Sequence, residues 1–187
     1  TESLKASPQF PQDWERLIEI FRAPSLQVVS FTITEKGYGL SPADLQRGLA
    51  PEALMGKAAL LLLERYRAGA CPITLQSMDN CSHNGDKLRE ALLAYGKAWV
   101  QAGLVPEAFL SYLQDESKVS CPWSMIDKIT PRPDGKVREM LETQGFADSG
   151  TILTEKNTYT AAFVNAEETG YLVIEDSFPN GRPPLEL

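Results

Sequence analysis

The chain has 187 residues, of which 18 are Lys or Arg and 25 are Asp or Glu, giving a formal net charge of −7. This length is enough for one domain with a buried core, and the acidic balance argues against a nucleic-acid or anionic-membrane surface, since both need clustered basic residues. No apolar run approaches the roughly 20 residues of a membrane span. Three cysteines at unrelated spacings and no signal-peptide core predict a reduced, cytoplasmic protein.

Predicted helices and strands alternate along most of the chain. Apolar residues recur at helical spacing along Leu88, Leu92, Tyr95 and Trp99, whereas 27–34 is rich in β-branched residues. The predicted helices are 11–23, 52–68, 85–102, 106–114 and 135–144, with a further helix start at 41–44, and the predicted strands are 27–34 and 72–78. After residue 151 the strand-like segments are TILTEK, YTAAFVN and GYLVIED.

The strand–helix–strand–helix order predicts an α/β fold with a partly parallel sheet. In such sheets, ligands bind beyond the carboxyl ends of the strands. Two polar corners follow predicted strands at such ends, 34–38 (TEKGY) and 77–80 (SMDN). We therefore expect the functional site at these two corners.

Three other patterns carry less weight. The G-x-G pattern at Gly37 has Pro42 where a dinucleotide-binding loop needs its third glycine, so we interpret it as a turn. Cys81 and His83 could begin a metal site, but the chain has one His and no second ligand pair at zinc spacing, so no metal is expected. A nucleophilic pair of Cys121 with His83 lacks a group to orient the base.

Asp79 and Asn80 place a carboxylate and an amide at the end of a predicted strand. They could bind a sugar hydroxyl or a cofactor ribose, and the Asn80 amide could donate to a developing alkoxide. Alternatively, both side chains satisfy backbone groups of the turn, and the residues alone leave the two interpretations equal. Asn84 is interpreted as a helix N-cap. Glu35 and Asp127 would ordinarily be solvated loop acids, although the Pro-rich loop around Asp127 favours a function.

Four motifs occur in order along the chain: TITEKGY at 32–38, SMDNCSHNGD at 77–86, PWSMIDKITPRP at 122–133 and VIEDSFPNGRPP at 173–184. Together they resemble the polyol-specific long-chain dehydrogenases, the mannitol dehydrogenase family. The second and third motifs are most similar to its D-mannonate oxidoreductase (fructuronate reductase) branch. The resemblance extends over almost the whole chain.

The resemblance implies an α/β, partial Rossmann-like NAD(P)-binding domain with a mostly parallel sheet, in a zinc-independent dehydrogenase. It implies hydride transfer between NAD, or alternatively NADP, and an acyclic sugar acid, D-mannonate or D-fructuronate. The alternatives are mannitol or tagaturonate as the substrate, and a non-catalytic, degenerate binding module. By position in the motifs, Asn80 would be catalytic, stabilising the alkoxide. Thr34, Glu35, Asp79 and Asp127 would be cofactor-binding, with Asp127 close to the nicotinamide ribose.

The resemblance also implies that the chain is the middle of a longer enzyme. The family's first βαβ unit, with its Gly-rich phosphate loop, would precede it, and a helical domain with the catalytic Lys would follow. Residues 1–178 would then be the central and C-terminal part of the nucleotide-binding domain, and 179–187 the start of a linker. On this interpretation the chain alone is inactive, and its partners are a sugar acid and the nicotinamide cofactor, without nucleic acid or membrane.

Overall fold

The computed structural model describes residues 11–127, 132–156, 158–164, 170 and 172–186. The chain divides into two compact units, Thr1–Met125 with Val173–Leu187, and Ile126–Leu172. Within the described part of the chain, no helix is both long and apolar enough to cross a membrane.

Helices and strands alternate in the first unit, as predicted. In chain order it contains α1 (Pro11–Arg22), β1 (Val28–Phe31), a 3-10 turn (Glu35–Tyr38), α2 (Pro42–Leu45), α3 (Leu54–Arg67), β2 (Ile73–Ser77), α4 (Asn84–Gln101), α5 (Glu107–Gln114), β3 (Val119–Ser120) and β4 (Ser124–Met125). The second unit contains α6 (Gly135–Thr143), β5 (Ile152–Leu153) and β6 (Tyr159–Thr160). β7 (Val173–Ile174) belongs to the first unit again.

β1, β2 and β3 form a parallel sheet with β2 in the centre. Phe31, the last residue of β1, pairs with Ser77, the last residue of β2, so both strands end at the same edge of the sheet. β4 and β7 form a separate antiparallel pair, as do β5 and β6 in the second unit. The prediction of an α/β fold with parallel strands is confirmed.

The two faces of this sheet differ in polarity. Ile73 and Leu75 of β2 are buried in the hydrophobic core. Because side chains alternate between the faces of a strand, the equally buried Thr74 lies on the opposite face. There the Ser120 hydroxyl donates to Thr74 Oγ1 at 2.9 Å and to the Ser177 carbonyl at 2.7 Å. These bonds attach the C-terminal segment to the polar face of the sheet.

The helices pack around α4, which contacts β2, α3 and α5. Tyr95 and Trp99 of α4 are fully buried, which confirms the apolar stripe predicted from their spacing. The Trp99 ring stacks on Phe109 of α5, with 6.3 Å between centroids and 15° between planes. Burying side chains of this kind stabilises a fold by about 1.5–3 kcal/mol each.

The side chain of Arg65 joins α3 to the segments that lead into β1 and β2. Only 1% of the residue is exposed. A guanidinium has five N–H groups, and each of those in Arg65 donates to a backbone carbonyl at 2.7–3.0 Å. The acceptors are Phe21, Ala23, Leu26, Cys71 and Pro72. Arg65 therefore fixes the entry points of two neighbouring strands relative to one helix.

The buried carboxylate of Asp44 joins α2, the start of α3 and α4. It accepts hydrogen bonds from the Tyr95 hydroxyl at 2.6 Å and from the amides of Glu52 and Ala53 at 2.7 and 3.3 Å. Burial alone would raise the pKa of Asp44, but these hydrogen bonds bring the pKa below its usual range. The ionised carboxylate is therefore the form that the fold stabilises.

In the second unit, Asp134 is the N-cap of α6. Its carboxylate accepts from the amides of Lys136 at 2.8 Å and Val137 at 3.3 Å. Such caps contribute about 1 kcal/mol to a helix of this kind. The short helix predicted from 135 to 144 is thus present, beginning one residue after a capping side chain.

We predict that Arg65→Met lowers the free energy of unfolding by about 3–5 kcal/mol, because it leaves five buried carbonyl groups without donors. Urea unfolding at neutral pH measures the loss. The control is Arg67→Met in the same helix turn, since the exposed Arg67 pairs only with Glu64 at 2.9 Å and such a pair contributes less than about 1 kcal/mol. Equal losses in the two variants would contradict the role given to Arg65.

We also predict that Asp44→Asn lowers the free energy of unfolding at pH 7 by about 1–3 kcal/mol. Because the folded pKa lies below that of the unfolded chain, about 4, the stabilisation by Asp44 is complete above that pH and is lost as the pH falls through the folded pKa. The difference between variant and wild type should therefore shrink in acid. Urea unfolding at several pH values tests this, with Glu52→Gln as the exposed control; a difference independent of pH would refute it.

Candidate functional site

The two predicted corners meet at the carboxyl edge of the sheet. The Met78 amide still donates to the Phe31 carbonyl at 2.7 Å, as in a regular ladder. One step later, the amides of Ile33 and Thr34 donate to the side chain of Asp79 instead of to a strand carbonyl. The strand predicted from 27 to 34 therefore ends at Phe31 in the structure, because a carboxylate replaces the neighbouring strand.

Asp79 lies beneath this corner and is 7% exposed. Its oxygens accept from the Ile33 amide at 2.9 and 3.0 Å, from the Thr34 amide at 2.7 Å and from the Tyr38 hydroxyl at 2.5 Å. The Tyr38 hydroxyl also lies 2.7 Å from Ser77 Oγ. Burial alone would raise the pKa of Asp79, but these donors bring it below its usual range. The same burial and carboxylate raise the pKa of Tyr38, so Tyr38 remains a donor.

Thr34 has an unusual backbone conformation, with φ 65° and ψ 158°. This region is almost restricted to glycine and costs about 1–3 kcal/mol for other residues. Its amide is bonded to Asp79 and its carbonyl accepts from the Gly37 amide at 2.9 Å. Both backbone groups are thus used inside the corner, and the side chain is exposed at the surface.

Glu35 follows Thr34 and begins the 3-10 turn. Its exposed carboxylate accepts a hydrogen bond from the ammonium group of Lys87 in the first turn of α4. This bond, with smaller contributions from charge attraction, raises the pKa of Lys87 despite partial desolvation. The pair connects the corner after β1 to the helix after β2.

Asn80 is exposed, and its carboxamide is not bonded to any described residue. It directly follows Asp79, whose carboxylate is bonded to Thr34. The structure thus brings Thr34, Glu35 and Asn80 to one edge of the sheet as exposed side chains, above the buried Asp79. Asp127 belongs to the second unit, so its position relative to this corner is not part of the description, and its cofactor role stays a prediction.

Asn84 has a structural position that the sequence did not indicate. The N-cap of α4 is His83, in the left-handed conformation with φ 55° and ψ 45°, so the prediction of Asn84 as the N-cap was wrong. Asn84 is 1% exposed. Its amide nitrogen donates to the Asp79 carbonyl at 3.1 Å and to Ser124 Oγ at 2.9 Å. Its oxygen accepts from the Ser124 amide at 3.0 Å.

Gly85 lets the loop before β4 pass directly over the start of α4. A β-carbon at this position would collide with the carbonyl oxygen of Cys121. The Ser124 hydroxyl then donates to the Ser77 carbonyl at 2.6 Å. These contacts fix the loop against the end of β2, which Asn84 alone in the sequence could not reveal because Ser124 is 40 residues away.

The Cys–His alternatives receive no support from the geometry. Cys121 is buried, and burial raises the pKa of its thiol to about 12, which leaves it protonated at neutral pH. His83 lies instead on the Trp123 ring, 4.2 Å between centroids, with Nδ1 3.2 Å from Asp86. Among the described residues, no group of three or more His, Cys, Asp or Glu could hold a metal ion.

Two hollows lie on the first unit. One, of about 540 Å³, is lined mainly by apolar groups of α2 and the carboxyl end of α4, including Trp99. The other, of about 270 Å³, includes Glu35, Tyr38 and Lys87. The 18 residues of α4 separate its two ends by roughly 27 Å. Because the polar groups of both corners converge at the second hollow, we place the candidate site there despite its smaller size.

Comparison with known proteins agrees with this description. Residues 2–187 match the model of the mannitol dehydrogenase Rossmann domain. The chain is 49% identical to D-mannonate oxidoreductase of Thermotoga maritima, over 99% of this chain and 36% of that protein. It is 33% identical to mannitol dehydrogenase 2 of Saccharomyces cerevisiae, over the same shares.

A solved structure also resembles the chain. It is mannitol 2-dehydrogenase of Pseudomonas fluorescens in a ternary complex with NAD and D-mannitol, with a TM-score of 0.57 and 30% identity, covering 91% of this chain and 33% of that one. The chain thus spans about a third of the length of these relatives. The Rossmann-type fold and the family expected from the four motifs are both confirmed. The chain belongs to the mannitol dehydrogenase family, whose Rossmann domain it matches from residue 2 to residue 187.

Proposed function

We propose that the protein is an oxidoreductase that transfers a hydride between NAD and an acyclic sugar acid, D-mannonate or D-fructuronate. The observation that carries this proposal is the corner itself. An unengaged carboxamide, Asn80, and two further exposed polar side chains lie at the carboxyl edge of a parallel sheet in a mannitol dehydrogenase Rossmann domain. Ligands of such sheets bind beyond this edge.

The residues of the corner suit a nicotinamide cofactor. Ribose hydroxyls need acceptors and donors, which the carboxylate of Glu35 and the hydroxyl of Thr34 supply at the surface. NAD, when bound, supplies the hydride acceptor or donor. Thr34, Glu35 and Asp79 would form one wall of the cofactor cleft, Asp79 from beneath, and Asp127 would lie close to the nicotinamide ribose. The solved relative with NAD bound supports this choice of cofactor over NADP.

Asn80 would act on the substrate. An amide N–H aimed at the reacting oxygen stabilises the negative charge that develops when the hydride leaves or arrives. The exposure of Asn80 leaves its N–H groups available for this role. Its neighbour Asp79 is fixed by Ile33, Thr34 and Tyr38, which limits the movement of the backbone that carries Asn80.

A sugar acid is favoured by the 49% identity to a D-mannonate oxidoreductase. The second candidate substrate is a polyol, supported by the 34% identity to the D-arabinitol 4-dehydrogenase of Ralstonia nicotianae and by the mannitol dehydrogenases. Tagaturonate and a degenerate, non-catalytic binding module remain the other members of the comparison. Hydride transfer needs base, substrate and cofactor in one site. Since relatives are about three times longer, we propose that residues 1–187 alone give no turnover.

Further proposals follow from the family. Residues 1–178 would form the nucleotide-binding part and 179–187 would begin a linker. The three cysteines are free, which supports a cytoplasmic location, where thiols stay reduced.

We predict that the complete gene product oxidises NADH with D-fructuronate at least tenfold more efficiently, in kcat/KM, than with D-fructose or D-tagaturonate, a difference of about 1.4 kcal/mol in transition-state binding. NADH absorbance measures the rates, and NADPH is the cofactor control. Residues 1–187 alone should show no turnover. Preference for fructose would move the function to polyol oxidation, and NADH binding without any turnover would support the non-catalytic alternative.

Asn80→Ala should lower kcat about 10²-fold, the cost of removing one donor to a developing oxyanion. The dissociation constant of NAD should change little, since Asn80 acts on the substrate oxygen. Ser82→Ala, at an exposed position of the same corner, is the matched control and should leave both values unchanged. An unaltered kcat in Asn80→Ala would remove Asn80 from the catalytic role.

A further inference from the structure

Asp79 does not present a free carboxylate to a ligand. It is 7% exposed, and both of its oxygens accept hydrogen bonds, Oδ1 from two amides and Oδ2 from the Ile33 amide and the Tyr38 hydroxyl. A ligand could reach it only by displacing these donors. Its contact with Thr34 is the one that reaches the exposed part of the corner.

Thr34 is held where an L-residue other than glycine is strained. Its φ of 65° and ψ of 158° persist because the bond from its amide to Asp79, at 2.7 Å, fixes the peptide before it. The bond from the Gly37 amide to the Thr34 carbonyl fixes the peptide after it. Without the carboxylate, the first restraint is lost and the residue can relax to negative φ. Strained residues of this kind cluster at ligand-binding sites.

A second carboxylate in the chain provides an internal comparison. Asp44, like Asp79, is buried, accepts from one tyrosine hydroxyl and two successive amides, and is ionised in the fold. Neither of its amide donors, Glu52 and Ala53, has positive φ. The chain therefore repeats the same chemistry once without strain and once at the candidate site with strain.

We propose that Asp79 and Tyr38 are positioning residues of the cofactor cleft. They hold Thr34 in its strained conformation and so direct Thr34 and Glu35 toward the cofactor, without touching the cofactor themselves. This inference rests on the proposed function and deepens it: the cofactor is recognised by the exposed turn, and the geometry of that turn is set by a buried carboxylate and a buried hydroxyl.

The strain is tested by the order of stability of two substitutions, Thr34→Gly and Thr34→Ala. At an ordinary φ, glycine is less stable than alanine because it loses more backbone entropy on folding. At the observed φ, glycine should unfold at the higher urea concentration. In the Asp79→Asn background the turn relaxes and alanine should become the more stable of the two. In the Asp44→Asn background glycine should remain the more stable.

The same order of Gly and Ala in the wild-type and Asp79→Asn backgrounds would overturn the proposal, because Asp79 would then not be what holds Thr34. Alanine more stable than glycine in the wild-type background would overturn it as well, since no strain would be present. These measurements need no cofactor, so they decide the link between Asp79 and Thr34 whether or not the protein binds NAD.

The second measurement is NAD binding by titration calorimetry on the purified protein. Asp79→Asn should raise the dissociation constant about tenfold, as expected for groups that orient a ligand-binding residue from behind, and Tyr38→Phe should raise it by a smaller factor. Asp44→Asn, with a comparable loss of buried hydrogen bonds, should leave it unchanged. Equal weakening by Asp79→Asn and Asp44→Asn would show a purely structural role for Asp79. Absence of NAD binding to the wild type would overturn both the proposed cofactor and the positioning role, while leaving the stability result to stand.

Discussion

The buried guanidinium of Arg65 is the contact on which the arrangement of the sheet depends. It binds five carbonyl oxygens in the segments before β1 and β2, so the amino ends of both strands are fixed by one cation. At the carboxyl ends, Asp79 does the converse and binds the amides of Ile33 and Thr34. Segments that leave a sheet carry backbone groups without ladder partners, and a buried group needs a partner. The chain supplies one charged side chain at each end, and the end that uses the carboxylate is the candidate site.

Much of the fold could be predicted because it depends on local patterns. The stripe of Leu88, Leu92, Tyr95 and Trp99 fixes α4, and the β-branched run before Ser77 fixes β2 as a buried strand. The end of β1 could not be predicted, because Ile33 and Thr34 have good strand propensity and leave the strand only through a contact with a residue more than 40 positions away. Tertiary contacts of this kind override propensity.

The position of the site could also be predicted, but not the division of work within it. Carboxyl ends of parallel strands meet at one edge, which was enough to choose the corners that contain Thr34 and Asn80. The sequence left Asp79 equally suited to a ligand and to the turn, and the structure shows its bonds to the turn. Tyr38 went unnoticed as a functional residue, although a tyrosine four residues after the strained position is within reach of the same carboxylate. His83 in the left-handed conformation was hidden by Asn84, a more usual cap residue.

The corner is acidic in sequence but compensated in structure, and this matters for what it can bind. The chain carries a net charge of −7, and both the pyrophosphate of a dinucleotide and the carboxylate of a sugar acid are anions. An uncompensated acidic edge would repel them, since charges in a low-dielectric cleft interact strongly. Each acid named at the corner of the first unit has a donor instead: Glu35 is paired with Lys87, Asp79 with amides and a hydroxyl, and Asp86 with the Trp123 indole at 3.0 Å. The exposed carboxamide of Asn80 adds N–H donors without adding negative charge. An acidic protein can in this way present a binding edge suited to anionic ligands without a cluster of basic residues.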